Sequence, residues 1–121
     1  MVQISHCGRT IAGEFVAFDI RWEGTITGST VLWSVLISTD DGRERLQLGH
    51  ERAGDGTFRS QFAFSGNSAE KQELGEDADL RDGELTVRYP ASVVGVAVEW
   101  PVWRAVITVD GEDLDSHVMT F

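Results

Sequence analysis

The segment Glu14–Trp22, which reads EFVAFDIRW, alternates apolar and polar side chains along most of its length. Its large apolar members stand at every second position: Val16, Phe18, Ile20 and Trp22. Because successive side chains of a β-strand point to opposite faces, this alternation predicts a strand with one buried face. Such half-buried strands are typical of antiparallel sheets that pack one face on a core.

The same period of two recurs from one end of the chain to the other. The segment Thr57–Phe64 (TFRSQFAF) repeats it, and we expect Phe58, Phe62 and Phe64 on its buried face. Apolar residues in this phase also predict the following strands: Val2–His6, Arg9–Ala12, Ser29–Ser38, Arg43–Arg52, Glu84–Tyr89, Ser92–Trp100, Val102–Val109 and Leu114–Phe121.

The segment Ser29–Ser38 (STVLWSVLIS) differs from the others because both of its faces are apolar. Leu32 and Leu36 occupy one face. The opposite face carries Val31, Trp33, Val35 and Ile37. A strand that is apolar on both faces belongs in the middle of a sheet, so we expect this strand to be covered on both sides.

Turn residues separate the strands at short intervals. Asp40-Asp41-Gly42 and the segment Ala53–Gly56 predict two consecutive hairpins, and Asp110-Gly111 predicts a third. The acidic segment Gly66–Gly83 breaks the pattern, although a polar edge strand around Ala69–Leu74 would shorten this otherwise long loop.

About eight strands with almost no helix predict one all-β domain over residues 1–121. We expect an antiparallel two-sheet β-sandwich of immunoglobulin-like architecture, with Trp33 as a core residue. The paired cysteines of true immunoglobulin domains are missing, so the likeness concerns architecture alone. A small up-and-down β-barrel is the alternative, since it also accommodates eight short strands.

Composition excludes several kinds of partner. The 121 residues carry a net charge of −10, which disfavours nucleic acid because phosphates repel such a field. No apolar run approaches the roughly 20 residues that a membrane span needs, and the N-terminus does not resemble a signal peptide. Cys7 is the single cysteine, so no intrachain disulfide can form, and we expect a cytoplasmic protein.

Aromatic surface is the best lead to a function. Trp100-Pro101-Val102-Trp103 places two tryptophans around a proline, whose bend could bring the rings together. Exposed tryptophans mark protein interfaces and carbohydrate-stacking sites. We therefore predict Trp100 and Trp103 as interface residues, together with Leu74 and Leu80 of the acidic segment.

Calcium is the one metal that the sequence suggests, and only weakly. Asp77, Asp79 and Asp82 crowd oxygen ligands into one loop. The EF-hand pattern fails there, because Asp82 stands where that loop requires glycine. We expect no cofactor, with calcium at these aspartates as the exception.

These observations predict a non-catalytic protein-binding or assembly domain that acts through an exposed aromatic patch or a strand edge. The partner would be another protein or a second copy of the chain in a homodimer. The alternative is a domain that binds a small ligand or carbohydrate, with or without structural calcium. An enzyme is a third hypothesis, without support from any catalytic or nucleotide motif.

Overall fold

The computed structural model describes residues 1–121 and consists almost entirely of strands. The ten strands are β1 (Gln3–Ala12), β2 (Phe15–Glu23), β3 (Thr30–Ser38), β4 (Arg45–Ala53), β5 (Phe58–Ser65), β6 (Glu70–Leu74), β7 (Ala78–Arg81), β8 (Glu84–Pro90), β9 (Val102–Val109) and β10 (Glu112–Val118). One helical turn, α1 (Ala91–Val94), and a 3-10 segment (Gly95–Glu99) lie between β8 and β9. None of this helix is long and apolar enough to cross a membrane.

The strands form two separate antiparallel sheets. The smaller sheet has the order β1-β2-β8-β7, and the larger has the order β10-β9-β3-β4-β5-β6. The sheets do not close on each other, so the two-sheet sandwich is confirmed and the barrel alternative is wrong. The closer likeness to immunoglobulin domains stays a prediction.

A core of 23 buried residues fills the space between the sheets. The opening segment behaves as its alternation predicts, because Val16, Phe18 and Ile20 on β2 are at most 1% exposed. Trp33 on β3 is buried, as predicted, and the face of β9 that carries Trp103 is buried as well. Strand alternation alone therefore assigns most of the core.

The strand β3 lies in the middle of the larger sheet, between β9 and β4, as its two apolar faces predict. The expected cover on its second face is absent, since Leu36 is 38% exposed. The two sheets pack against each other through one face each, and Leu36 lies on the face that points away from this packing. The prediction of a doubly covered strand is therefore wrong at Leu36, although Ser34 on the same face is only 3% exposed.

Phe62 and Phe64 also differ from the prediction, because they face away from the core. Their neighbour Ala63 pairs with the buried Leu48 and belongs to the core. The pairing of β4 with β5 shifts by one residue beyond Glu51, next to Phe58. This bulge reverses the inside–outside phase, so that Phe58 packs near the His50 ring while Phe62 and Phe64 turn outward.

The segment Ser92–Trp100 is helical, and the strand predicted there is wrong. Val94 and Ala97, three positions apart, face the core, whereas Val96 is 70% exposed. A spacing of three between buried residues is typical of helix. In a strand, Val94 and Val96 would have shared one face because they are two positions apart. At the N-terminus, the two predicted strands are one continuous strand, β1, with a bulge between Ile4 and His6.

The acidic segment Gly66–Gly83 supplies two short strands. The predicted polar edge strand is confirmed as β6, which pairs with β5 at one margin of the larger sheet. The chain then crosses to the smaller sheet and forms β7, which the sequence did not predict. The predicted hairpins of β3 with β4, β4 with β5 and β9 with β10 are all confirmed.

Candidate functional site

The tryptophans do not form an open aromatic surface. Trp103 is only 2% exposed, and its indole Nε1 donates a hydrogen bond to the carbonyl oxygen of Trp100 at 2.6 Å. Its ring packs near Phe18 and Phe121, and the guanidinium of Arg9 lies 4.7 Å from its centroid. The prediction of an exposed patch at Trp100 and Trp103 is therefore wrong. Pro101 leads β9 into the sandwich and does not bend both rings outward.

Trp100, Leu74 and Leu80 are half-buried and pack against the core. Leu74 ends β6 and Leu80 lies within β7, on different sheets. These three side chains close the margins of the sandwich. Their role in binding a partner stays a prediction.

The three aspartates predicted as weak calcium ligands do not converge. Asp77 accepts a hydrogen bond from Nε of Arg88 at 3.0 Å, and Asp79 accepts one from Nε of Arg81 at 2.9 Å. Asp82 is exposed beyond the end of β7. No three His, Cys, Asp or Glu side chains anywhere in the structure are grouped so that they could hold a metal ion.

The outer face of the larger sheet carries a groove of about 410 Å³, called the outer groove below. Strand register places its side chains in two adjacent rows on this face. From β9 toward β5, the rows contain Arg104, Leu36, Gln47 and Phe64, then Val102, Ser38 and Arg45. Leu36, Val102 and Phe64 thus form a mostly apolar floor, which Gln47 interrupts between Leu36 and Phe64.

The apolar floor of the outer groove is accessible. Leu36 is 38% exposed and Val102 is 37% exposed, while Phe64 is half-buried at the far side. Exposed apolar side chains that stand singly are ordinary, but contiguous ones across neighbouring strands mark interaction surfaces. The groove is the part of the molecule that best fits this description.

The next row of the same face is tightly packed and supports the groove. Phe62 lies over Gly49, where a β-carbon would approach the Phe62 ring to 2.3 Å. The ammonium of Lys71 lies over that ring, 4.5 Å from its centroid. Nε2 of Gln47 donates a hydrogen bond to Oγ of Ser34 at 3.0 Å. These contacts fix the backbone beneath the groove.

The arginines of the outer groove have no acidic partner. Arg45 and Arg104 form no ion pair, although five of the nine arginines do. Arg104 donates only to the neutral Oγ of Ser116, at 3.0 Å. A locally basic rim therefore borders an apolar floor on a chain whose net charge is −10.

His50 belongs to a polar network in the interior and does not line the groove. It is fully buried, and its Nδ1 lies 2.9 Å from Oε1 of Gln61. Nε of Arg52 donates to Nε2 of His50 at 2.9 Å, so the imidazole is neutral and carries its proton on Nδ1. Burial is the main cause that lowers the pKa of His50. Each ring nitrogen has a partner, which is typical of a structural histidine.

A second titratable cluster lies on the outer face of the smaller sheet. Nε of Arg21 donates to Oε2 of Glu84 at 2.7 Å, and NH2 of Arg21 lies 3.4 Å from Oδ2 of Asp19. Burial and then the nearby Glu84 raise the pKa of Asp19. The side chains of His6 and Arg21 are more than half exposed, and none of these residues lines the outer groove. Charge pairing of this kind is typical of a solvated sheet face.

Three of the four sheet edges carry protection against added strands. The edge strand β6 carries Glu70, Lys71 and Glu73, and β7 is only four residues long. On β10, a bulge next to Asp115 interrupts the pairing, and the carboxylate of Asp115 accepts a hydrogen bond from the amide of Ile4 at 2.7 Å. The C-terminal half of β1 is the least protected edge, and its residue Ile11 is 53% exposed.

Sequence reasoning missed the outer groove, although one signal for it was present. The outward leucines of β3, Leu32 and Leu36, indicated an apolar second face. Phe64 could not be assigned to that face without knowledge of the bulge opposite Glu51. Arg45 and Arg104 carry no sequence signal at all, because their proximity depends on the pairing of β3 with both β4 and β9.

Comparison with known proteins gives no further assignment. No family model matches the chain, and neither a curated protein nor a solved structure is detectably similar to it.

Proposed function

We propose that this protein is a non-catalytic binding domain that docks a segment of another protein in the outer groove. The observation that carries the proposal is the end of the second face of β3 at Leu36, which is 38% exposed and borders the groove. A sheet face that is apolar in its middle and polar at its rim has the composition of a protein interface. Leu36, Phe64 and Val102 would form the apolar centre of this interface.

The size and stiffness of the groove support the proposal. Its volume of about 410 Å³ suits one or two large side chains of a partner, the number that commonly dominates binding energy. It is built on β3, β4 and β9 in the middle of the sheet, where backbone pairing on both sides holds the side chains in place. A preformed site loses little conformational entropy when it binds.

The overall charge favours a different protein over a second copy. Two copies would each bring a net charge of −10, and like charges of this size oppose association at moderate ionic strength. The strand edges, which are the other route to a homodimer, are protected on three of four sides. The proposed partner is therefore another protein. The cytoplasmic location inferred from the single free Cys7 remains part of the proposal.

A matched pair of variants tests the groove. Leu36→Gln places a polar amide in the apolar floor, whereas Val96→Gln makes a similar change at a site that is 70% exposed and does not line the groove. Proteins captured from the source lysate by the unmodified chain would be quantified by mass spectrometry. We expect one or more specific partners to be recovered with the Val96→Gln variant and lost with the Leu36→Gln variant.

Equal recovery by both variants would place the binding surface elsewhere and contradict the proposal. Thermal melting of both variants provides the control for folding. Chemical-shift mapping with the purified partner would then locate the contact directly, and perturbed amides in β3 and β9 are the expected result.

A small-ligand site is the second candidate, and one observation favours it. A cavity of about 180 Å³ opens at one end of the sandwich beside Trp22 and Trp33, whose ring centroids are 5.6 Å apart. The indole Nε1 of Trp33 is buried and has no acceptor among the protein groups. Cyclic ketones, which combine an apolar body with an acceptor, are suitable probes. Quenching of tryptophan fluorescence that Ile26→Phe abolishes would support this candidate, and unchanged fluorescence in the unmodified protein would contradict it.

A further inference from the structure

We infer that the segment accepted by the outer groove is acidic: it combines bulky apolar side chains with flanking carboxylates. This inference rests on the proposed docking function and specifies its partner chemistry. It follows from the charges around the groove, since the apolar floor alone would accept a segment of any charge.

More than half of the arginines in the molecule pair with a carboxylate. Arg21, Arg43, Arg52, Arg81 and Arg88 each have a carboxylate within 4.0 Å. Four arginines have none, and one of these, Arg9, instead lies over aromatic rings. Two of the remaining three, Arg45 and Arg104, border the outer groove. With 20 acidic side chains in the sequence, two unpaired cations beside one groove are a local exception.

Arg45 and Arg104 lie on either side of the apolar floor. Arg104 and Leu36 are direct cross-strand partners, and Arg45 pairs with Ser38, one row away. Arg104 on β9 and Arg45 on β4 lie on opposite sides of β3, so their backbones are separated by about 10 Å across the sheet. An apolar side chain seated on Leu36 would thus have a guanidinium on each side. Carboxylates placed before and after that side chain could reach both.

Contacts between these arginines and the carboxylates of a bound segment would strengthen binding. Charge-assisted hydrogen bonds from arginine to carboxylate are roughly twice as strong as neutral ones. They gain further when an apolar neighbour excludes water from one side of the pair. A basic segment would instead bring its cations toward unpaired arginines, and this repulsion would discriminate against it. The match is local to the groove, since the chain as a whole carries a net negative charge.

A simpler reading of the same arginines is that their methylene stems only shield the apolar floor from water. In that case, the charge of a bound segment would have little effect on affinity. The experiment is designed to separate this reading from a preference for carboxylates.

Three matched peptides serve as probes. The first is acetyl-Gly-Asp-Asp-Leu-Phe-Asp-Asp-Gly-amide, and the other two replace every Asp with Asn or with Lys. Affinities would be measured by isothermal titration calorimetry at about 0.15 M ionic strength, where charges more than about 8 Å from the groove are largely screened. We expect the acidic peptide to bind about tenfold more tightly than the Asn peptide, and the Lys peptide to bind weakest. Added salt should reduce this preference, because it screens exposed charges.

The arginine variants assign the preference to the groove. In a doubly substituted Arg45→Gln, Arg104→Gln variant, the acidic and Asn peptides should bind with equal affinity. Arg59→Gln is the matched control, because Arg59 is exposed, forms no ion pair and lies outside the groove. It should retain the full preference. Circular dichroism and melting of each variant check that the fold is intact.

Several results would overturn the inference. Equal affinity for the acidic and Asn peptides, or a preference that survives the double substitution, would refute it. The docking function could still stand after such a result. It would do so if Leu36→Gln weakened the binding of all three peptides equally, because the peptides would then bind in the groove without a preference for carboxylates. Failure of the acidic peptide to bind at about 1 mM would also refute the inference, while lysate capture with the Leu36→Gln and Val96→Gln variants would decide the docking function separately.

Discussion

At the scale of single residues, burial decides which ionisable groups can change their charge. Cys7 and His50 both lie against the core. Loss of hydration is the main cause that raises the pKa of Cys7 and lowers the pKa of His50, and both shifts favour the neutral form. The two residues differ in function-related behaviour, because the thiol is a potential nucleophile and the imidazole is a potential pH sensor. Each therefore makes a separate prediction.

The thiol of Cys7 should be unreactive in the folded protein. Burial, with the nearby carboxylates of Asp19 and Asp115, raises its pKa from 9.0 to about 12. A rise of this size reduces the thiolate fraction at neutral to mildly basic pH about 1,000-fold, and the thiolate is the reacting species. Labelling with a thiol reagent at mildly basic pH should therefore be at least a hundred times slower (order of magnitude) in the folded protein than in urea. Comparable rates in the two conditions would contradict the burial of Cys7.

His50 should make the folding stability depend on pH in mildly acidic solution. Its folded-state pKa is lowered from 6.5, mainly by burial and further by the adjacent Arg52. As the pH falls, the unfolded chain therefore takes up this proton at a higher pH than the folded protein does. The contribution of the neutral imidazole is fully present above the unfolded value of 6.5 and is lost as the pH falls below it. Hydrogen bonding to Gln61 and the nearby Glu76 partly oppose the shift.

Urea unfolding at a series of pH values between about 5 and 7 tests this dependence. The unmodified protein should lose stability as the pH falls, and His50→Gln should flatten the dependence even though its overall stability is lower. His117→Gln is the control, because His117 is exposed on β10. Equal pH profiles of the two variants would refute the role given to His50.

At the scale of single elements, β3 shows how one strand can carry two different surfaces. Its inner residue Ile37 is 1% exposed, whereas its outer residue Leu36 is 38% exposed. Both are large aliphatic side chains and adjacent in sequence. Their contributions to stability should differ because only one of them is surrounded by the core.

Substitution of the two residues by alanine measures this difference. Ile37→Ala should lower the free energy of unfolding by about 2–5 kcal/mol, since it removes buried methyl groups and leaves a cavity. Leu36→Ala should lower it by at most about 1 kcal/mol. Chemical denaturation of both variants checks the prediction. A large loss from Leu36→Ala would mean that the outer face of β3 is covered after all.

At the scale of the whole molecule, Gln61 joins the two sheets. It lies on β5 of the larger sheet, and its Nε2 donates to the carbonyl oxygen of Arg88 on β8 of the smaller sheet at 2.8 Å. Its Oε1 lies 2.9 Å from Nδ1 of His50 and accepts a hydrogen bond from the amide of Asp77 at 3.1 Å. Asp77 lies in the connection that carries the chain from one sheet to the other. One amide side chain thus satisfies three groups at the margin of the core.

Gln61→Leu, which keeps a similar volume, should therefore be costly. It leaves buried polar groups without partners, and each such group costs about 1–3 kcal/mol, so a loss of at least about 2 kcal/mol is expected. Gln72→Leu is the matched control on the exposed strand β6, where the same change should have little effect. Equal stability of the two variants in urea would show that the network does not hold the sheets together.

The sequence predicted the fold better than it predicted the candidate site. Alternation assigned the inner face of β2 and grouped Trp33 of β3 with its buried neighbours, because the grouping of side chains on one face depends only on local phase. It failed at Phe64, where a single bulge reverses the phase, and at Val96, where apolar residues two apart occur in a helical segment. Trp103 was predicted as exposed from its unusual neighbourhood, yet it fills the core. Residue type alone does not say which large apolar side chains are covered.

The sequence by itself determined that this chain forms antiparallel strands, where most of them begin and turn, and that β3 lies in the middle of a sheet. These properties follow from the period of side-chain direction and from turn residues, both of which act over a few positions. Only the tertiary structure decided that Leu36 on the second face of β3 stays exposed and that Arg45 and Arg104 flank it. The physical reason is that cover and charge proximity depend on which strands pair and on how many layers stack, and these are set by contacts between residues far apart in the chain.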